Sequence, residues 1–133
     1  MAYQQRFLQA LDHDAGGPFD IILSPACALP AFTHGSRRDL LATGGYTILY
    51  NVLGYPAGVV PLTRVHSDEE VGRAPSRDMM EKAARNVELG SAGLPVGVQV
   101  VARPWREHVA LAAMRALEEA ASKHADYPGI ASI

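Results

Sequence analysis

The sequence predicts an α/β fold, in which a mixed β-sheet is flanked by helices. Two apolar runs rich in β-branched residues, FDIILS (19–24) and LPVGVQVVA (94–102), have the pattern of strands buried on both faces. The clearest helix is predicted directly after the second run, over residues 106–125. Because helices and strands alternate along the chain, we expect at least some parallel pairing in the sheet.

The first quarter of the chain predicts a helix, a strand and a loop. Residues 2–12 form a short amphipathic helix that needs another surface to cover its apolar side, and its apolar residues are Tyr3, Phe7, Leu8 and Leu11. The sequence Gly16-Gly17-Pro18 ends this helix. The strand over 19–24 stops at Pro25, and the segment 25–39 is rich in turn residues.

The middle of the chain predicts a second helix and a second strand. A helix over 45–53 is favoured because Gly54 and Pro56 then supply its stop. Residues 57–65 are β-branched but interrupted by Pro61, which predicts a strand that bends or lacks one ladder hydrogen bond.

The composition then changes, and a charged surface insertion is predicted over 66–92, with an exposed helix over 76–89. In the final helix, over 106–125, the predicted apolar stripe consists of Val109, Ala113, Ala116, Leu117 and Ala120. The last residues, 126–133, are expected to fray.

Composition excludes several classes of function. The 133 residues suffice for one core, and a formal charge of −2 gives no attraction to nucleic acid or anionic lipid. The single cysteine, Cys27, can form no internal disulfide and has no metal-ligand spacing with the histidines, so we expect a cytoplasmic protein without metal or cofactor. No stretch approaches the roughly 18 apolar residues that a membrane span requires.

Four collinear motifs carry a family resemblance. They are DIILSPACALPA (20–31), TGGYTILYN (43–51), NVLGYPAGVVPLTRV (51–65) and GLPVGVQVVARPWREHVAL (93–111). Together they resemble the C-terminal part of the amidase signature family of serine hydrolases, over roughly residues 1–122. The resemblance implies that residues 1–125 are the C-terminal portion of an amidase domain, a fragment of its helix-flanked mixed sheet. Within the family, the segments around Tyr46, Tyr50, Pro104 and Trp105 are most similar to the fatty-acid amide hydrolases.

The family's reaction centre has no counterpart here. Members of the family use a serine nucleophile, a second serine in a cis peptide and a lysine base, and the serines belong to a Gly/Ser-rich segment. No such segment occurs in this sequence, and its two lysines, Lys82 and Lys123, fall on predicted exposed helical stretches. No catalytic residue can therefore be carried over. We expect a carbon-nitrogen hydrolase fragment, with fatty-acid amides as candidate substrates, that is inactive alone.

Three residues are candidates for the substrate wall. The resemblance implies that Trp105 edges a pocket for an acyl chain and that Ile48 and Thr47 line it. The competing interpretation is that Trp105 and Ile48 simply pack in the core, as most large apolar side chains do.

Two other functions are weighed against a catalytic fragment. The chain could be a non-catalytic binding or partner subunit that completes a separately encoded amidase half, or it could form a homo-oligomer through exposed strand edges. It could also be an independent enzyme that uses Cys27 with His34, although this spacing is usually coincidence. A metal site at Asp12, His13 and Asp14 is disfavoured because three adjacent side chains cannot converge on one ion.

Overall fold

A computed structural model describes residues 2–13, 16–32, 34 and 40–129. The chain forms four α-helices and three strands in alternating order: α1 (Ala2–His13), β1 (Ile21–Pro25), α2 (Gly45–Leu53), β2 (Ala57–Arg64), α3 (Met79–Glu88), β3 (Pro95–Ala102) and α4 (Glu107–Ala121). A turn of 3-10 helix, Leu41–Gly44, leads into α2. Among these described elements, no helix has both the length and the apolar character needed to cross a membrane.

β3 is the central strand of a sheet with the order β1-β3-β2. It runs antiparallel to both neighbours, and Val101 lies opposite Ile22 on one side and Ala57 on the other. The predicted α/β class and the order of elements are confirmed. The expected parallel pairing is wrong for the described strands. β1 and β2 do run in the same direction, but β3 returns from the long 66–92 segment and inserts between them.

One face of the sheet is covered by α1 and α2. Tyr50, Leu53, Tyr55 and Val101 form a buried cluster there, and Phe7 from α1 packs against it. The Phe7 ring meets the rings of Tyr50 and Tyr55 edge-on, at centroid distances of 6.5 and 5.7 Å. Burial, the largest effect, raises the pKa of the Tyr55 hydroxyl. The predicted partner surface for the apolar side of α1 is therefore α2 and β3.

The opposite face is covered by α4, which packs on β2 and β3. Gly58 permits this close approach, since a Cβ atom at that position would lie 2.5 Å from Met114 Sδ. The inward side of α4 carries the buried residues Ala110 and Ala121, whereas Ala116 and Ala120 are exposed. The predicted apolar stripe of α4 is therefore partly wrong. The side of α4 that packs on the sheet is the side that carries Met114, because Met114 contacts Gly58.

The two apolar strands differ in how much of them is covered. Gln99, Val100, Val101 and Ala102 of β3 are buried, as the sequence predicts. The expectation that β1 is buried on both faces is wrong for the described chain, because its Leu23 is 52% exposed. Leu23 lies opposite Val100, on the sheet face where α4 packs mainly against β2 and β3 and least against β1.

The 66–92 segment is organised around α3 and its own polar contacts. The carboxylate of Asp78 caps α3 by accepting hydrogen bonds from the backbone N–H groups of Met80 (2.8 Å) and Glu81 (3.0 Å). Glu70 accepts from the backbone N–H groups of Gly90 (2.8 Å) and Ala92 (2.9 Å), which holds the two ends of the segment together. The boundaries of the surface insertion stay a prediction.

The C-terminal segment is partly attached to the fold. The Tyr127 hydroxyl donates to Glu118 of α4 at 3.1 Å, and Asp126 lies 3.7 Å from His66. The remainder of the predicted fraying tail, residues 130–133, lies outside the described residues.

Replacing Gly97 with alanine tests the packing between β2 and β3. A Cβ atom there would lie 2.7 Å from Cγ1 of the stiff Val59 side chain, so Gly97→Ala should lower the free energy of unfolding by about 1–3 kcal/mol. The control is Gly45→Ala at the start of α2, where a Cβ atom meets nothing within 4 Å. Urea denaturation measures both variants. Equal stabilities for the two would contradict the packing.

Acid should loosen the 66–92 segment. Hydrogen bonds from Arg73, which contacts Glu88 at 2.6 Å, are the main cause that lowers the pKa of Glu88 below its usual 4.5. The pKa of Glu70 is lowered by its backbone hydrogen bonds. A lowered carboxyl pKa stabilises the fold above the unfolded value, and this contribution disappears as the pH falls through the folded value.

We therefore expect the amide protection factors of residues 66–92, which correct for the pH dependence of intrinsic exchange, to fall below pH 4.5. Glu88→Gln should weaken this pH dependence, whereas Glu107→Gln, outside the segment, should leave it intact. An unchanged profile in Glu88→Gln would contradict the assignment to the Arg73 pair.

Candidate substrate-binding site

The start of α2 and the loop after β1 enclose a cavity of about 350 Å³. Two features of the local sequence build its α2 wall. The Thr43 hydroxyl donates to the Leu40 carbonyl at 2.6 Å, and the Thr47 hydroxyl donates to the Gly44 carbonyl at 2.8 Å. These bonds hold the turn that leads from the 3-10 helix into α2. The cavity is lined by Ala26, Cys27, Phe32, Leu40, Thr43, Gly44, Thr47 and Ile48.

A second cavity, of about 480 Å³, lies on the other side of the same loop. Ala26, Cys27 and Phe32 border both cavities, so residues 26–32 act as a partition between them. The second cavity also reaches the sheet at Val59, Pro95, Val96 and Gly97. Most of the lining side chains in both cavities are apolar, which suits a hydrocarbon ligand.

The partition loop is held by α3. Ala84 and Val87 of α3 form a buried cluster with Leu40, and Leu29 and Phe32 of the loop pack against that cluster. The Ala28 N–H also donates to the Thr43 carbonyl at 3.2 Å, which connects the loop to the 3-10 helix. The 66–92 segment therefore supports the wall of both cavities and does more than cover the surface.

The three predicted wall residues fall in two places. Thr47 and Ile48 lie together in the first cavity, and Ile48 is 53% exposed, so the alternative that it packs in the core is wrong for this chain. Trp105 follows the other end of β3. Pro25, which leads into the partition loop, pairs with Val98, and Ala102 lies about 13 Å further along the strand. The structure does not bring Trp105 to the cavity that Thr47 and Ile48 line.

Trp105 is exposed and conformationally strained. Its side chain is 87% exposed, so core packing of this residue is wrong for the described chain. Its backbone φ is +65°, and no other non-glycine residue among those described has a positive φ. A bulky residue in the left-handed region costs about 1–3 kcal/mol, and such residues cluster at functional sites. A hydrogen bond from the Arg106 N–H to the Arg103 carbonyl, at 3.0 Å, closes a turn whose third residue is Trp105, a position where some turns require a positive φ.

The cavities can bind but offer little chemistry. Cys27 is the single thiol that lines them, and no hydrogen bond joins the described residues Cys27 and His34. The hydroxyls of Thr43 and Thr47 also line the first cavity, but both donate to backbone carbonyls. Lys82 and Lys123 are both exposed. The Ser91 hydroxyl already donates to the Glu88 carbonyl at 2.7 Å. Within the described residues, no serine is paired with a base, and a serine without a base is a weak nucleophile.

The metal alternative also finds no support in the described residues. They contain no group of three or more His, Cys, Asp or Glu side chains that could hold an ion. Asp12 lies 2.6 Å from the Arg103 guanidinium, which gives that carboxylate a structural partner. Asp14, the third residue of the candidate metal site, lies outside the described residues.

Sequence reasoning missed three wall residues, Cys27, Phe32 and Leu40. Cys27 was considered only as a nucleophile, and the other two were assigned to a loop or its flank. The signal that could have found them is the apolar composition of PACALPAF (25–32), since a solvated loop is normally polar.

Comparison with known proteins identifies the family. The Amidase family model matches residues 1–111, which covers the sheet, α1–α3, both cavities and the start of α4. The chain belongs to the amidase family.

The chain is similar to several members of that family. It is 39% identical to fatty acid amide hydrolase 1 of Caenorhabditis elegans over 120 residues, which cover 88% of this chain and 20% of that protein. It is 37% identical to fatty-acid amide hydrolase 1 of Sus scrofa over 103 residues, covering 74% of this chain and 18% of the relative. A glutamyl-tRNA(Gln) amidotransferase component of Geobacter metallireducens is 28% identical over 95% of this chain and 21% of its own length. The chain thus spans about one fifth of the length of these relatives.

Trp105→Gly separates a packing role from a role at the surface. A buried tryptophan contributes about 3–5 kcal/mol of stability, which truncation removes. Because Trp105 is 87% exposed with φ of 65°, we expect the unfolding free energy to change by less than about 1 kcal/mol. Urea denaturation followed by circular dichroism measures the change. A loss of several kcal/mol would show that Trp105 packs in the core after all.

Proposed function

We propose that this chain forms part of the substrate wall of an amidase that acts on fatty-acid amides. The observation that carries the proposal is the pair of apolar cavities around the partition loop 26–32, with Thr47 and Ile48 on one wall. Similarity to two fatty acid amide hydrolases supports the fatty-acid class of substrate. Amide hydrolysis itself is part of the proposal, because the chain spans about a fifth of those relatives.

The apolar lining suits an acyl chain for a simple energetic reason. Each methylene group that leaves water for an apolar cavity contributes about 0.8 kcal/mol to binding. Cavities of about 350 and 480 Å³ fall at the lower end of the range that holds small ligands. The wall therefore supplies affinity for the hydrocarbon part of the substrate, and the polar amide group must be handled elsewhere.

Catalysis is proposed to come from the rest of an amidase domain. The resemblance places the serine nucleophile, the second serine and the lysine base in segments that this sequence lacks. We propose that the chain is inactive alone and that the rest of the domain adds the reaction centre. In the complete domain, Trp105 is proposed to join the substrate wall, because its side chain is 87% exposed and is therefore available to contact another surface.

A second candidate is a partner subunit that completes a separately encoded amidase half. The large apolar side chains left in solvent favour it, among them Leu23, Val52 and Trp105, which are 52, 77 and 87% exposed. In either case, the substrate is a small amide and the remaining domain is a protein partner. Location in the cytoplasm stays a prediction.

The absence of a reaction centre predicts that a fluorophosphonate probe does not label the purified chain. A serine reacts with this probe when a neighbouring base activates it. Labelling is measured by mass spectrometry of the intact protein, with an active serine hydrolase as the positive control. Labelling at any serine would show that a hydrolase centre exists in this chain and would overturn the proposal.

Binding of a long-chain acylamide is measured through Cys27. Because Cys27 is the one cysteine of the sequence and borders both cavities, a bound acyl chain should slow its alkylation by iodoacetamide. Ile48→Ala removes apolar contact from the wall and should raise the half-protective concentration about tenfold, since about 1.4 kcal/mol corresponds to that factor.

The matched control is Val52→Ala, one turn further along α2, which is 77% exposed and borders neither cavity. It should leave the protection of Cys27 unchanged. If no acylamide concentration protects Cys27 in the unmodified chain, or if both variants behave alike, the assignment of the wall is wrong.

A further inference from the structure

We propose that Phe32 limits the length of the acyl chain that the substrate wall accepts, because its ring separates the two apolar cavities. This inference rests on the proposed function for the class of ligand. Among the described residues, three border both cavities, namely Ala26, Cys27 and Phe32. Alanine and cysteine have small side chains, so Phe32 alone of the three places a large group between the two spaces.

The ring of Phe32 is supported from behind by α3 and Leu40. Phe32 packs against the buried cluster of Leu40, Ala84 and Val87, which are 2, 4 and 4% exposed. The branched side chain of Val87 has few rotamers, and close-packed interiors leave little room for a neighbour to move aside. The ring therefore has a firm support on one side and borders the cavities on the other.

The backbone of the partition loop is tied to the wall of the first cavity. The Ala28 N–H donates to the Thr43 carbonyl at 3.2 Å, and Thr43 lines that cavity. Leu29 also packs against the α3 cluster. The loop cannot move away as a unit without losing these contacts, so a change at the Phe32 side chain is the smallest change that joins the cavities.

The two cavities suit successive parts of one hydrocarbon chain. Leu40 and Ile48 border the first cavity, and Val59 and Val96 border the second. Among the described residues, no charged side chain borders either cavity. With volumes of about 350 and 480 Å³, each cavity lies near the lower end of the range of ligand sites, and joined they fall well inside it. While the ring separates them, an acyl chain that fills one cavity leaves its remaining carbons in solvent.

The test measures how straight-chain primary amides protect Cys27 of the purified chain against iodoacetamide. Each carbon that enters an apolar cavity should lower the half-protective concentration up to about fourfold, since about 0.8 kcal/mol per methylene corresponds to that factor. The amides run from about 4 to about 16 carbons and are used below the concentrations at which they aggregate. In the unmodified chain, we expect the gain per carbon to stop well before the longest amide, where one cavity is filled.

Variants of Phe32 should move this limit. Phe32→Ala joins the cavities, so the half-protective concentration of an amide of about 8 carbons, divided by that of the longest amide, should rise at least tenfold. Phe32→Leu should raise the same ratio by less. Each variant is referred to its own rate of alkylation without ligand. A residue that merely contacts the ligand would weaken short and long amides alike and leave the ratio unchanged.

Leu29→Ala is the matched control. Leu29 packs against the same cluster and borders the second cavity, but it does not border the first. Its truncation removes apolar packing without removing the group that lies between the cavities, so the ratio should stay close to that of the unmodified chain. Circular dichroism checks that each variant folds. Phe32→Leu keeps most of the packing and decides the question if Phe32→Ala folds poorly.

Three results would overturn the role of Phe32. A gain that continues to the longest amide in the unmodified chain would show that the cavities are already joined. An unchanged ratio in both Phe32 variants would show that the ring does not limit the length. An equal rise in Leu29→Ala would show that the packing of the loop, and not the ring, separates the cavities.

Straight-chain alcohols of the same lengths distinguish this inference from the proposed function. If the alcohols show the limit and its shift while the amides give no protection, the amide ligand is contradicted and the role of Phe32 is supported. If the amides protect Cys27 with the same ratio in every variant, the reverse holds. If neither series protects Cys27 at any length, both proposals are overturned.

Discussion

The rest of the structure depends on the burial of β3 on both faces. Val100 and Val101 are adjacent residues that point to opposite sides of the sheet, and both are fully buried. Val101 holds the cluster that joins α1 and α2 to the sheet, and Val100 lies beside Gly58, where α4 approaches most closely. Since both layers are assembled on this one strand, disorder in β3 would release every helix that packs on the sheet.

The candidate site depends on a second and more local constraint. The partition loop has no regular secondary structure, so its position is fixed by what packs behind it. Ala84 and Val87 reach it through Leu40, from a helix that lies in a charged segment. Two acidic side chains of that segment close it through hydrogen bonds: Glu88 accepts from Arg73, and Glu70 accepts from the backbone N–H groups of Gly90 and Ala92. Polar contacts on the outside thus hold an apolar wall on the inside.

The sequence predicted the elements better than their relations. The strand over 94–102 and the helix over 45–53 were recognisable because apolar runs and the Gly54 stop are local signals. The position of β3 between two antiparallel neighbours was not recognisable from the sequence, because strand order depends on where the chain rejoins the sheet after the long 66–92 segment. Thr47 and Ile48 were predicted through resemblance, and both line the first cavity, but their role in binding a substrate stays a prediction. Cys27, Phe32 and Leu40 were missed because an irregular wall has no periodicity to reveal it.

Trp105 combines two features that are unfavourable in the chain alone, a positive φ and an exposed indole. A positive φ at a bulky residue raises the energy of the folded chain, and an exposed indole contributes almost no burial to offset it. The turn is held by the hydrogen bond from the Arg106 N–H to the Arg103 carbonyl, so another surface would add burial of the indole. The same reasoning applies to the exposed Leu23 and to the side-chain oxygen of buried Gln99, which has no hydrogen-bond partner among the described residues. These three features lie at separate places on the fold, so the surface that would satisfy them all must be extensive, as the rest of an amidase domain would be.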